Sequence, residues 1–162
     1  MDCKSVCETE LKMYNDAMKS YETARAIHPE NQDVIGGMGT VYFETQEYQK
    51  AAGCFEQIIR NNISEDISNA RINLIITKQS MGVLISVDEE RFLFNVNIEE
   101  YPDDLKIKIL NAQGIQYRIK KDYVALEKHC KYVISKNLHD TITNRLLQLS
   151  YINRGMKDSD YR

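Results

Sequence analysis

Residues 32–63, QDVIGGMGTVYFETQEYQKAAGCFEQIIRNNI, constrain the fold more than any other stretch. Ile35, Met38, Gly39 and Tyr42 fall three or four apart, so they share one face of a helix. Three polar residues follow, Thr45-Gln46-Glu47. Then Tyr48, Ala51, Phe55, Ile58 and Ile59 make a second face. Two short amphipathic helices joined this tightly must run antiparallel and bury their faces together. Gly39 and Ala51 stand where larger side chains would hold the helices apart, with Tyr42 and Phe55 filling the space beside them.

The pattern recurs along the chain. About one repeat before Ala51 and Phe55 stand Ala17 and Tyr21, with Ala24 and then Pro29 beyond. This predicts an earlier helix pair over residues 1–31, its first helix at about 2–11 with Val6 and Leu11 as anchors. Pro29 ends the second helix, at about 13–28, because it lacks an N–H and disfavours helix for His28. After the central pair (32–65), residues 66–106 are irregular. Ser64 or Asp66 can cap a helix that carries Ile67, Ile72, Leu74, Ile75 and Ile76. A distorted loop is expected around 80–88, then a helix rather than a strand, because a lone strand would have no partner. In 107–139, Leu110, Gly114 and Tyr117 echo Ile35, Gly39 and Tyr42, while Leu126 and Cys130 replace Ala51 and Phe55, an exchange of large for small. Pro102-Asp103-Asp104 signals the start of its first helix. A last helix, 140–154, carries Leu146, Leu147, Leu149 and Tyr151, and a polar tail follows at 157–162.

This spacing resembles the tetratricopeptide repeat, a helix–turn–helix unit of ~34 residues. The resemblance implies an all-α, right-handed α-solenoid forming a single domain over 1–156, with Gly39, Tyr42, Ala51, Phe55, Ala17, Tyr21, Gly114 and Tyr117 as its packing residues. The first repeat starts almost at Met1 without a polar capping segment, which suggests a longer array.

Other classes of function find little support. The 162 residues carry a formal charge of −3, with Lys and Arg spread along the chain and no basic stripe, so no direct RNA contact is expected. No run of ~18 apolar residues offers a membrane span. Cys3, Cys7, Cys54 and Cys130 form no CxxC, so free thiols and a cytoplasmic location are expected. Cys3 and Cys7 share a helix face but are expected to pack rather than bind metal. His28, His129 and His139 lie apart and read as surface or helix-end residues, so neither a catalytic set nor a metal set is expected, and no cofactor. Gly36-Gly37-x-Gly39 lies inside a helix and lacks the strand that precedes a phosphate loop. Its first two glycines suit either close backbone approach or nothing in particular.

In a repeat stack the first helix of each pair lines a groove. Phe43, Ile67, Leu74, Lys108, Ile115, Arg118, Leu149 and Ile152 are the expected lining, and so the expected binding surface for a protein segment. On that reading Phe43→Asp or Leu74→Asp abolishes partner capture and leaves helical content intact. Co-chaperone repeats bind a terminal carboxylate through Lys, Asn and Arg, but the matching places here hold Gly36, Thr40, Ala70 and Leu74. A narrower resemblance rests on Arg60-Asn61, the acidic linker SED, Arg71-x-Asn73-Leu74, Gln79-Ser80 and LNAQGIQYRIKKDY. Together these are similar to the tetratricopeptide domain of the 72-kilodalton subunits of the eukaryotic signal recognition particle. That resemblance implies a non-catalytic scaffold holding the 68-kilodalton partner subunit. The alternative is a scaffold subunit of another assembly, such as a cell-cycle ubiquitin ligase or a ciliary transport complex.

Overall fold

The computed structural model describes residues 3–61 and 67–155, with side chains from Lys12 onward. Within them lie eight α-helices, one 3-10 turn and no strand. The fold is all-α, and within each of two units helices adjacent in the chain pack on one another, as in tetratricopeptide-like repeats. It divides into two units, Met1–Ile85 and Ser86–Arg162.

The first unit holds α1 (Cys3–Ile27), α2 (Gln32–Glu44), α3 (Tyr48–Asn61) and α4 (Ser68–Ser80). Here α1 is one continuous helix, not the pair expected over 1–31. The physical reason is plain in the sequence. No Gly, Pro, Asn or Asp stands between Leu11 and Tyr14 to turn the chain, and Lys12-Met13 are ordinary helix formers. Cys3, Cys7, Val6 and Leu11 have side chains outside the described ones, and the proposed caps Ser64 and Asp66 lie outside the described residues. The cap position of α4 is Ile67, which offers no side-chain bond. At α2 the oxygen of Asn31 accepts from the amides of Asp33 and Val34 at 2.9 and 3.2 Å, satisfying two of the helix's unpaired donors. The α2–α3 turn places Gln46 at φ 62°. The Gln46 amide then donates to Phe43 O and the Glu47 amide to Tyr42 O, the paired bonds of a Schellman motif.

At the crossing, a Cβ added to Gly39 would lie 2.8 Å from the Phe55 ring and 3.1 Å from Cys54 Cβ. Glycine therefore sets the α2–α3 separation, and Phe55, 2 % exposed, fills what it leaves open. Gly37 lies against α1, where an added Cβ would be 2.4 Å from the end of the Tyr21 ring and would force that side chain to move. Gly36 has room, its Cβ finding Ile58 at 3.6 Å. The core of this unit joins Ile35, Met38, Cys54, Ile58 and Ala70, with a second cluster of Ala51, Ala52, Phe55 and Leu74.

The second unit holds α5 (Val87–Asn95), a 3-10 turn (Ile98–Glu100), α6 (Asp103–Ile119), α7 (Tyr123–Ser135) and α8 (Thr141–Asn153). A capping box starts α5: the Glu89 amide donates to Ser86 Oγ at 3.2 Å, and the Ser86 amide donates to Glu89 Oε2 at 2.7 Å. The irregular stretch before it is the loop 81–86. Gln113, buried on α6, donates to Leu93 O at 2.9 Å and so satisfies a carbonyl near the end of α5. The α6–α7 turn repeats the α2–α3 device. Lys121 sits at φ 58°, its amide donates to Arg118 O, and the Asp122 amide donates to Tyr117 O. Asp122 then caps α7 through the Ala125 amide at 3.0 Å. Leu126 and Cys130 are both fully buried, together with Leu146.

Candidate functional surface on α6 and α8

Two helices of the second unit leave a common side open, and the contacts they make define it. On α6, Asn111 faces α8, where its amide donates to Asp140 Oδ2 at 2.8 Å and its oxygen accepts from the Thr143 hydroxyl at 3.1 Å. Gly114 also faces α8, with Leu146 2.9 Å from where its Cβ would be. Positions 111 and 114 therefore meet 143 and 146 in the same order, so the two helices run parallel. Leu110 and Tyr117 face α7: His129 Nε2 lies 2.7 Å from Leu110 O, and its ring centroid is 5.6 Å from that of Tyr117. At 3.6 residues per turn, Lys108, Ile115 and Arg118 share one face of α6 with Asn111. On α8, Leu147 packs on the α7 cluster, and Lys131 of α7 lies over the Tyr151 ring at 5.7 Å. The side beyond α6 carries Ile142, Arg145, Leu149 and Ile152. Each stands 34 residues after Lys108, Asn111, Ile115 and Arg118, one repeat length.

This surface mixes aliphatic groups with cations. Ile142 is 43 % exposed and Ile152 60 % exposed, while Ile115 and Leu149 are half-buried. Lys108, Arg118 and Arg145 are exposed, and none has a carboxylate partner among the described residues. The acids of α7 and α8 have partners of their own. Asp140 caps α8 through the amides of Ile142 and Thr143 at 2.9 and 3.0 Å. Glu127 binds Lys131 at 2.6 Å and also Arg154, and the Lys131 hydrogen bond comes first among the causes that hold its carboxyl below the ordinary range. Lys106 and Lys120, by contrast, are paired, the first with Glu99 and Asp103, the second with Glu90.

Of the expected groove residues, Lys108, Ile115 and Arg118 lie on α6 and Leu149 and Ile152 on α8, two helices that pack on one another. The other three belong to the first unit. Leu74 is 6 % exposed and packs on Ala51 and Phe55, so it is a core residue. Its helix is apolar on more than one side, and that made an inward residue look like a lining one. Phe43 is half-buried against the same cluster, with its ring 5.4 Å from that of Tyr48 in an edge arrangement. Ile67 is half-buried at the start of α4. The α2 positions matching Lys108, Ile115 and Arg118 are Asp33, Thr40 and Phe43, which supply no comparable mix of aliphatic and cationic groups. Ile142 and Arg145 were missed by sequence reasoning, although the 34-residue step from Lys108 and Asn111 points to them.

His129 also departs from expectation. It is not a surface residue but a half-buried link from α7 to α6. Burial lowers its pKa below the ordinary value of 6.5, partly offset by the bond to Leu110 O. The neutral ring therefore carries its proton on Nε2 and donates it to that carbonyl. Burial raises the Cys130 thiol to about 11 and pushes Cys54 upward as well, so neither is a nucleophile at neutral pH. Among the described residues no group of His, Cys, Asp and Glu has metal-binding geometry, and no helix is long and apolar enough to cross a membrane.

Residues 9–62, a third of the chain, match the family model of the tetratricopeptide repeat. The match runs from α1 through α3 and includes the Gly39–Phe55 crossing. No curated protein and no solved structure matches the chain. Repeats of this family typically act as non-catalytic scaffolds that bind other proteins.

Proposed function

We propose that this chain is a non-catalytic scaffold that captures a partner protein on the open side of α6 and α8. The exposed aliphatic pair Ile142 and Ile152, set among Lys108, Arg118 and Arg145, carries this reading. Aliphatic side chains left in water beside cations mark a surface that gains by being covered. The partner is the 68-kilodalton subunit of the signal recognition particle, and the chain is a 72-kilodalton-type subunit working in the cytoplasm. Support for this narrower part is the run Arg60-Asn61, SED, Arg71-x-Asn73-Leu74 and Gln79-Ser80 together with LNAQGIQYRIKKDY.

Pull-down of the 68-kilodalton protein by the full chain tests it. Ile152→Asp is expected to abolish capture with the circular dichroism spectrum unchanged, because Ile152 contributes little to the core. Undiminished capture by this variant would remove the α6–α8 surface from consideration. No binding of that protein to the unaltered chain would remove the signal recognition particle. Leu74→Asp is no longer a test of binding, since a carboxylate at a 6 % exposed core position unfolds the first unit.

A further inference from the structure

We infer that the segment received on the α6–α8 surface is acidic, with carboxylates that straddle a short aliphatic stretch. The inference rests on the reading of that surface as a binding site and specifies its ligand. The argument is one of charge complementarity. From residue 105 to 155 the only acids are Asp122, Glu127 and Asp140. Asp122 and Asp140 cap helices, and Glu127 is shared by Lys131 and Arg154. Lys108, Arg118 and Arg145 thus have no ion-pair partner among the described residues, on the helices that carry Ile115, Ile142, Leu149 and Ile152. Asp104, one turn before Lys108, makes no ion pair with it.

The spacing adds a dimension. Lys108 and Arg118 are ten residues apart on one helix, about 15 Å along its axis. An extended segment covers that distance in about four or five residues, so acids at that separation can reach both cations while the residues between them lie on the aliphatic strip. A protein segment fits better than RNA. Base recognition on a single strand relies on aromatic platforms, and this surface has aliphatic side chains instead. A phosphate backbone would also leave those side chains uncovered.

The test uses the full chain and synthetic twelve-residue peptides measured by fluorescence anisotropy. One peptide carries Glu at positions four and five apart with Leu and Ile between them. In a second, every Glu becomes Lys. In a third, the Leu and Ile become Ser. Poly-uridine RNA is the fourth ligand. The first peptide should bind, with the other two at least tenfold weaker. Lys108→Glu and Arg118→Glu should each weaken it on the order of tenfold. Lys128→Glu on α7 and Lys136→Glu just past its end, both exposed, should leave it within about twofold. Equal binding of the Lys peptide, or indifference to the charge reversals at 108 and 118, overturns the inference. RNA that competes for the surface with the same sensitivity to those reversals also overturns it, in favour of a phosphate ligand. If no peptide binds while Ile152→Asp still removes capture of the 68-kilodalton protein, the acidic chemistry is wrong and the scaffold reading stands. If the Glu peptide binds as described and that protein is not captured, the chemistry stands and the partner is wrong.

Discussion

The hairpins α2–α3 and α6–α7 are related by a shift of 75 residues and share a turn, a glycine and a tyrosine, yet they fill their crossings differently. In the first, Gly39 opens space that Phe55 of the paired helix occupies, against a small Ala51. In the second, Cys130 stands in place of Phe55 and Leu126 in place of Ala51. The space at Gly114 is then taken by Leu146 of α8, the next helix along, and by His129. One hairpin fills the space at its glycine from within, although Leu74 of α4 also packs on Phe55. The other needs the following helix. Bulk at a helix crossing is therefore conserved as volume and can be supplied from different elements.

The largest expected effect comes from removing the residue that fills the space at Gly39. Phe55→Ala should destabilise the first unit by about 3–5 kcal/mol, whereas Cys130→Ala should cost the second only about 1–1.5 kcal/mol. Hydrogen exchange resolved to α3 and α7 assigns each loss to its unit. Comparable losses in both would break the contrast. Filling the glycines is the next test. At Gly39 a methyl meets the Phe55 ring and the immobile Cys54 Cβ, so Gly39→Ala should cost about 1–2 kcal/mol after the gain in helix propensity. At Gly114 the nearest atom is Leu146 Cδ1, the far end of a flexible side chain, so Gly114→Ala should be within about 0.5 kcal/mol of neutral. Thermal melts of each variant, with exchange to locate the change, check the difference.

A third test uses pH, because His129 occupies the place that Cys54 holds in the first hairpin. Its folded pKa lies below 6.5, so the unfolded chain binds the proton more readily. Stability from this group is complete above about pH 6.5 and is lost as pH falls through the lowered folded value. Protection of α6 and α7 should therefore drop as the solution is acidified, and His129→Gln, which keeps a donor toward Leu110 O, should flatten that slope. A slope unchanged in the glutamine variant would mean that another group titrates.

How far the sequence disclosed this fold varies from place to place. The α2–α3 hairpin was legible because its packing residues are local: Gly39, Ala51 and Phe55 lie on adjacent helices with a polar turn between them. The equivalence of Leu110, Gly114 and Tyr117 was legible for the same reason. What Gly114 packs against was not, since Leu146 comes from a helix that is not its hairpin partner. Helix α1 misled because apolar spacing alone carries no break, and only a turn residue would have divided it. The core position of Leu74 was hidden by a helix apolar on several sides, where periodicity no longer distinguishes inside from outside. In the α6–α8 surface, Leu149 and Ile152 could be read from their step of 34 residues, and the same step reaches Ile142 and Arg145. The freedom of Lys108, Arg118 and Arg145 could not be read. It rests on the absence of any ion pair to them among the described residues, which spacing along the chain does not reveal.

The smallest effect concerns what the two hairpins share. Gln46 at φ 62° and Lys121 at φ 58° both hold the left-handed conformation that L side chains disfavour. Each is held there by two backbone bonds, from its own amide and from the next one, which close the preceding helix. Glycine would remove the steric cost of that conformation, but it would also give the unfolded chain more freedom to lose. The two terms nearly cancel, so Gln46→Gly and Lys121→Gly should each stabilise by about 0.5 kcal/mol. Equality is the informative outcome. Because the turn is local, its energetics should not depend on whether bulk at the crossing comes from α3 or from α8. If Lys121→Gly differed from Gln46→Gly by more than about 1 kcal/mol, the turn and the crossing would be coupled. The second hairpin would then differ from the first along its whole length rather than at one layer of side chains.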